Sequence, residues 1–370
     1  NSLNASILSL QNRSTYRLSQ NTELQFGARI ANQKIDDNLY EYSFVDSADF
    51  VQVADFLESD IELNSQRATA YLQSTHFLKE GTQQLTYGLR VNYWSLNKQV
   101  FVSPRLQYSI QPTWEKDFRF NFAVGMYQQS PFYREMRDFE GKINQDLKAQ
   151  SSVHAVAGFD YNFKKGKRPF KLIGEVYYKN IWNVVPYDVD NVRLRYYATN
   201  DAKAKVFGAD MRISGEFVKG LESWFSVGYL SAKEDVNFDE KGFIRRPSDQ
   251  RLTATIFFQD HIPNDPTVKV FLRLLYGSGL PFSPPNLVEH RAALSGTQYR
   301  RVDVGFSKLV SFNDTKKINT LWLGLEVLNL LGTENVISYS WIQDFVNNVQ
   351  YAVPNALSQR FLNVKVIVGF

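Results

Sequence analysis

The sequence predicts an all-β fold, specifically a transmembrane antiparallel β-barrel. Three observations carry that prediction: long runs of strict alternation, a high aromatic content, and connections that are short and long by turns. Alternation places apolar side chains on one face of a strand and polar ones on the other. The 28 Phe, 20 Tyr and 6 Trp make up 15% of the 370 residues. Such an excess fits amphipathic rings gathered in girdles at the two membrane interfaces.

The alternation places about fifteen strands, near 5–17, 21–30, 67–78, 82–93, 98–110, 115–128, 149–163, 168–181, 204–217, 221–234, 249–259, 266–277, 298–310, 318–330 and 360–370. The last shows the pattern most clearly, with Leu362, Val364, Val366, Val368 and Phe370 on one face and Asn363, Lys365 and Gly369 on the other. In the same way Phe118, Phe120, Phe122, Val124 and Met126 alternate with Arg119 and Asn121, and Val153, Ala155, Ala157 and Phe159 with Ser152, His154 and Asp160. Many of these runs reach about 11 to 15 residues, against a mean of about 5–6 for strands of soluble sheets. A tilted membrane strand needs about 9–11 residues to cross the hydrocarbon.

The connections give the orientation. Short ones are expected at Ser19-Gln20, Lys79-Glu80-Gly81, 111–114, 164–168, Lys219-Gly220, 260–265 and 311–317. Long ones cover 31–66, 129–148, 182–203, 235–248, 278–297 and 331–359, and only 94–97 breaks the pattern. Outer-membrane barrels have short periplasmic turns and long extracellular loops, so the first strand runs down and the last ends in the periplasm. An odd strand count then requires an odd number of strands upstream of Asn1. Closure is obligatory because an unpaired strand edge in hydrocarbon leaves backbone groups without water, at several kcal/mol each. Lys308 falls on an apolar face but near a strand end, where its amine can snorkel to the interface.

Other classes fare worse. No stretch approaches the roughly 18 to 20 apolar residues of a spanning helix, and Asn1-Ser2-Leu3-Asn4 has neither the basic nor the apolar region of a signal peptide. The absence of Cys excludes disulfides, thiolate catalysis and Cys-based metal sites. A net charge of +4, spread along the chain, argues against a nucleic-acid surface. A soluble β-sandwich would need a second layer over about fifteen apolar faces, and the pattern offers none. No composition shift marks a linker, so 1–370 reads as one architecture. A barrel hydrolase needs a Ser or Asp arranged with His. Among His76, His154, His261 and His290, His154 faces the lumen near Ser152 and Asp160 and reads as a hydrogen-bonded wall residue, while His261 beside Asp260 reads as a solvated turn. Tyr187-Asp188-Val189-Asp190-Asn191 has oxygens for Ca²⁺ but is more simply an exposed turn. No catalytic residue, metal or cofactor is expected.

Several segments then carry a resemblance: Tyr127-Gln128-Gln129-Ser130-Pro131-Phe132-Tyr133-Arg134-Glu135-Met136, Arg246-Pro247-Ser248-Asp249-Gln250-Arg251, Tyr276-Gly277-Ser278-Gly279-Leu280-Pro281-Phe282, Tyr299-Arg300-Arg301-Val302-Asp303, Glu326-Val327-Leu328-Asn329-Leu330-Leu331, and the closing Arg360-Phe361-Leu362-Asn363-Val364 with terminal Phe370. In this order and spacing the chain resembles the C-terminal barrel of TonB-dependent receptors, particularly the large group in Bacteroidota. The resemblance implies a barrel of about twenty-two strands around a plugged lumen, with the plug and first strands upstream of this chain. It implies that Phe370 belongs to the signal read by the barrel-assembly machinery. It also implies an outer-membrane location among lipids and lipopolysaccharide, contact with TonB through the N-terminal region, and, in many members, pairing with a surface lipoprotein.

The function implied is binding of a nutrient (iron chelate, cobalamin, oligosaccharide or peptide) and its import with energy transmitted by TonB. The alternative is a barrel that serves as a structural subunit of an outer-membrane complex, without transport. Candidate substrate contacts are Arg134, Glu135 and Arg137 at a strand exit, and the rings of Trp182, Tyr187, Tyr196 and Tyr197, which could stack on a sugar or a flat chelate. A solvated charged rim and an interface girdle are the plainer readings of the same residues. Arg245-Arg246 is a candidate contact for lipopolysaccharide phosphate.

Overall fold

A strand in hydrocarbon must satisfy every backbone N–H and C=O through its neighbours, and the computed structural model of the chain shows the strands doing so in sequence order. It describes all residues except 48–49, 191–192, 285–289, 313–317, 345, 348 and 358, and the backbone alone at 43, 45–47, 50, 52, 54, 55, 190 and 343. The wall consists of β1 (Ser2–Ser19), β2 (Thr22–Ser47), β3 (Phe50–Leu78), β4 (Gln83–Trp94), β5 (Gln99–Ile110), β6 (Asp117–Gln129), β7 (Gln150–Lys165), β8 (Arg168–Val184), β9 (Ala202–Val218), β10 (Leu221–Val236), β11 (Leu252–Ile262), β12 (Asp265–Gly277), β13 (Tyr299–Ser311), β14 (Thr320–Leu328) and β15 (Phe361–Gly369). Each pairs antiparallel with the next in one continuous sheet, and the two-residue strand Ile244–Arg245 adds to β10. All the strands expected from alternation are present. Among the described residues the outer edges of β1 and β15 pair with nothing.

The register explains the alternation. One lateral row across six strands reads Phe122, Ala157, Val176, Ala209, Tyr229 and Leu252, and the adjacent row on the opposite face reads Asn121, Gly158, Glu175, Asp210, Gly228 and Thr253. The first row is the lipid face; its Phe122, Val176 and Tyr229 are 43–48% exposed because lipid, not protein, covers them. On the wall, several glycines sit beside aromatic rings. A Cβ at Gly208 would clash with Cζ of the Tyr177 ring, and one at Gly305 with Cε1 of the Phe271 ring. Lys308 forms an ion pair with Asp265 at 2.6 Å, at the periplasmic end of the wall. Turns on that side are short: Lys165 and Arg168 pair directly across Gly166 and Lys167, which both have positive φ, at 60° and 68°. The expected 311–317 turn lies largely outside the described residues.

On the extracellular side the segments expected as loops are mostly paired. The stretch 31–66 is not a loop: β2 and β3, of 26 and 29 residues, run on as one hairpin, reaching about 85–100 Å at about 3.4 Å per residue. The alternation continues there with its sense reversed. Up to Ile30 and from Ala68 the lipid face is apolar; beyond, the same face carries Asn32, Lys34, Asp36 and Asn38 opposite Gln66, Asn64, Glu62 and Asp60. The inward face now holds Ile35, Leu39 and Leu63, at most 8% exposed. Hairpins Tyr187–Asp190 with Arg193–Tyr196, Pro281–Phe282 with Leu294–Ser295, and Val336–Asp344 with Val349–Ala356 occupy three other expected loops. Ile35, Leu63, Trp94, Met136, Leu147 and Val185 form one buried cluster. The packed core of this molecule therefore lies above the membrane, where it fixes the loops to one another.

Candidate functional site

Charged residues buried near the extracellular mouth hold the loop framework. Asp249, fully buried, accepts from the Ala232 amide at 2.7 Å and from Nε of both Arg245 and Arg251 at 2.8 Å. Asp303, also fully buried, accepts from Arg301 Nε at 2.6 Å and from the Asn329 amide at 2.9 Å. Arg291 joins Glu234 and Asp188, and Arg246 Nε lies 3.0 Å from Glu234. The motif residues of 246–251, 299–303 and 326–331 thus tie strand ends to loops. Arg245 and Arg246 are held by buried carboxylates rather than directed outward toward phosphate.

On this framework, the 3-10 turn Tyr133–Met136, the Asp37–Glu41 part of β2, the start of β1 and the Arg193–Tyr196 strand surround a cleft of about 570 Å³. Its walls carry Arg134, Arg137, Arg193 and Arg195 against Asp37, Glu41 and Asp138. Arg137 Nη1 and the Tyr133 hydroxyl both donate to Asp37 Oδ2 at 2.7 Å. Burial, and then the Asp37 carboxylate, hold the Tyr133 phenol well above its ordinary range, so it remains a donor. Glu41 Oε2 lies 3.1 Å from Arg193 and 3.0 Å from Arg195. Arg134 is exposed and forms no ion pair among the described residues. Among the described residues the arginines of the cleft outnumber its carboxylates, which suits an anionic ligand.

Of the residues expected to bind, Arg134, Arg137 and Tyr196 meet in this cleft. Glu135 is buried and turns away, accepting from the Phe132 amide at 2.8 Å and Gln150 Nε2 at 2.9 Å; desolvation raises its carboxyl above the usual range. Tyr187 pairs with Tyr196, ring centroids 5.6 Å apart, beneath the Arg246 guanidinium. Tyr197 donates to Asp188 at 2.5 Å and packs between Phe139 and Phe238. Trp182, opposite Ser151 and in phase with lipid-facing Val176 and Tyr178, is apart from the cleft. Sequence reasoning missed Asp37, Glu41, Arg193 and Arg195; the i, i+2 spacing of the two arginines on one strand face was the available signal. In the segment with oxygens for Ca²⁺, Asn191 lies outside the described residues. Among the described residues no cluster of metal-ligating side chains occurs. A larger concavity, about 910 Å³ at the periplasmic end, is framed by turns and wall residues such as Pro169, Phe170 and Gly220.

A family profile described as TonB dependent receptor-like, beta-barrel matches residues 2–352. The chain belongs to the TonB-dependent receptor family. Its members are outer-membrane β-barrels, so the location is the outer membrane and the crossing is by strands; no helix here is long and apolar enough to cross a membrane. Among solved structures, the copper transporter OprC superposes with a TM-score of 0.66 at 15% identity over 98% of this chain and 56% of that one. The siderophore receptor PiuA from Acinetobacter baumannii gives 0.67 at 14% identity, covering 98% and 56%. The ferric enterobactin receptor PfeA from Pseudomonas aeruginosa, in complex with enterobactin, gives 0.66 at 14%, covering 98% and 54%. At these identities the likeness is one of fold. The chain spans about half the length of these structures. No curated protein matches the sequence. The family and these neighbours are receptors and transporters rather than enzymes.

Proposed function

We propose that this chain is the barrel of an importer that captures an anionic ligand, of the class of metal chelates, in the arginine-lined cleft and passes it inward with energy from TonB. The observation that carries the reading is the cleft itself: four arginines beside three carboxylates, with Arg134 exposed and unpaired among the described residues. The neighbours named as siderophore, ferric enterobactin and copper proteins support it. In this reading a plug N-terminal to the barrel fills the lumen, TonB acts on that plug, and strands from the same region pair with the free edge of β1 and close on β15. Phe370 serves the assembly machinery at the end of the last strand.

The test is uptake of radiolabelled ferric enterobactin, and of ferric citrate, both anionic chelates, by cells expressing the full protein. Arg134→Glu with Arg195→Glu is expected to reduce uptake of one of the two at least about tenfold, since a hydrogen bond between a guanidinium and an anion is worth about 1.5–3 kcal/mol. Deletion of TonB is expected to abolish it. Uptake indifferent to both changes contradicts the reading.

One observation favours the structural-subunit reading. At the far end of the β2–β3 hairpin, Tyr40, Tyr42, Phe44 and Phe56 form a ladder of edge-packed rings, each about half exposed, a surface suited to a partner such as a lipoprotein. Full transport by protein stripped of every co-purifying partner contradicts that role.

A further inference from the structure

A second cavity, sharing no residue with the arginine cleft, opens where the upper ends of β11 and β12 meet the Pro281–Phe282 and Val336–Asp344 hairpins. Its volume is about 360 Å³, within the range of about 300–1,000 Å³ typical of small-molecule sites. Among the described residues the lining contains no Asp, Glu, Lys or Arg. An anion or cation entering it would lose water and find no countercharge.

The two sides of the cavity differ in chemistry. On one, Phe282 stacks on Tyr339 with ring centroids 4.2 Å apart and planes 19° from parallel, and Trp341 lies 6.3 Å from Phe282. On the other, wall residues Thr253 and Thr255, with Thr297, present hydroxyls that make no hydrogen bond among the described residues. Gln250 gives its Nε2 to the Ser278 carbonyl at 3.0 Å, which leaves its side-chain oxygen to accept. A ring with an apolar C–H face and a hydroxylated edge fits both sides at once, the face against the aromatic platform and the edge against the threonines and Gln250. A flat aromatic ring would use the platform alone and leave those hydroxyls without partners.

We propose that this cavity is a second ligand site, selective for an uncharged pyranose ring. It is independent of the arginine cleft and of the ligand assigned there. The test is titration of the full-length receptor in detergent with maltotriose, cellotriose, xylotriose and chitotriose, read by tryptophan fluorescence and calorimetry. At least one is expected to bind. Tyr339→Ala is expected to weaken that binding about tenfold, as is Thr253→Val with Thr255→Val, a near-isosteric pair on the wall that keeps β11 intact. Arg134→Glu with Arg195→Glu is expected to leave it unchanged. No binding of any trisaccharide at millimolar concentration overturns the assignment, as does binding that survives both cavity variants. Binding of benzyl alcohol in place of the sugars, insensitive to the threonine changes, also overturns it by identifying an aromatic slot.

Discussion

Asp249 binds three donors from three places in the chain, the Ala232 amide and the guanidinium groups of Arg245 and Arg251. Removing its carboxylate by Asp249→Ala leaves both guanidinium groups without their countercharge and the buried Ala232 amide without its acceptor. Breaking a buried charged network from one side costs about 3–5 kcal/mol, and the loss should appear as fast hydrogen exchange and new protease cleavage within 236–252. Unchanged protection there contradicts the role given to Asp249. Glu135 makes a different prediction. Desolvation raises its pKa above the unfolded value, so the folded turn binds the proton more tightly and the ionised carboxylate opposes folding. That opposition is relieved as pH falls through the raised pKa. Protection of the 132–136 amides, corrected for intrinsic exchange, should therefore rise as the pH falls from neutral toward the ordinary carboxylate range in the native protein and stay flat in Glu135→Gln.

At the scale of elements, the wall was legible because lipid and lumen impose opposite chemistry on alternate residues. Val227 and Ser226 are neighbours on β10 that face opposite ways. Val227→Lys should destabilise the barrel in lipid vesicles by about 2–4 kcal/mol, and Ser226→Lys by little, as measured by urea unfolding. Equal effects would mean that the faces are misassigned. What was not legible was the stretch beyond the membrane. Over 32–38 and their partners 60–66, β2 and β3 keep their alternation but invert it, because water replaces lipid outside and the loop core replaces the lumen within. Ile35, Leu39 and Leu63 then look like the irregular pattern of a loop, and 31–66 reads as one. The candidate site was half legible for the same reason. Arg134, Arg137 and Tyr196 stand near recognisable strand exits, whereas Asp37 and Glu41 belong to the stretch that reads as a loop. Glu135 has the composition of a rim residue, and only three-dimensional packing shows it buried.

At the scale of the molecule, a sheet of fifteen wall strands with two free edges meets the requirement that lipid sets only when those edges are paired. In the function proposed above, that closure and the plug on which TonB acts belong to one polypeptide that continues on the N-terminal side of β1. The solved receptors, of which this chain matches 54–56%, have room for both. The most direct measurement is the intact mass of the native polypeptide extracted from outer membranes, with peptide mapping of its N-terminal side. The expected mass is well above the 42.7 kDa of this chain, with the plug and the closing strands mapping before Asn1. A folded, membrane-inserted protein of 42.7 kDa would contradict closure by the same polypeptide.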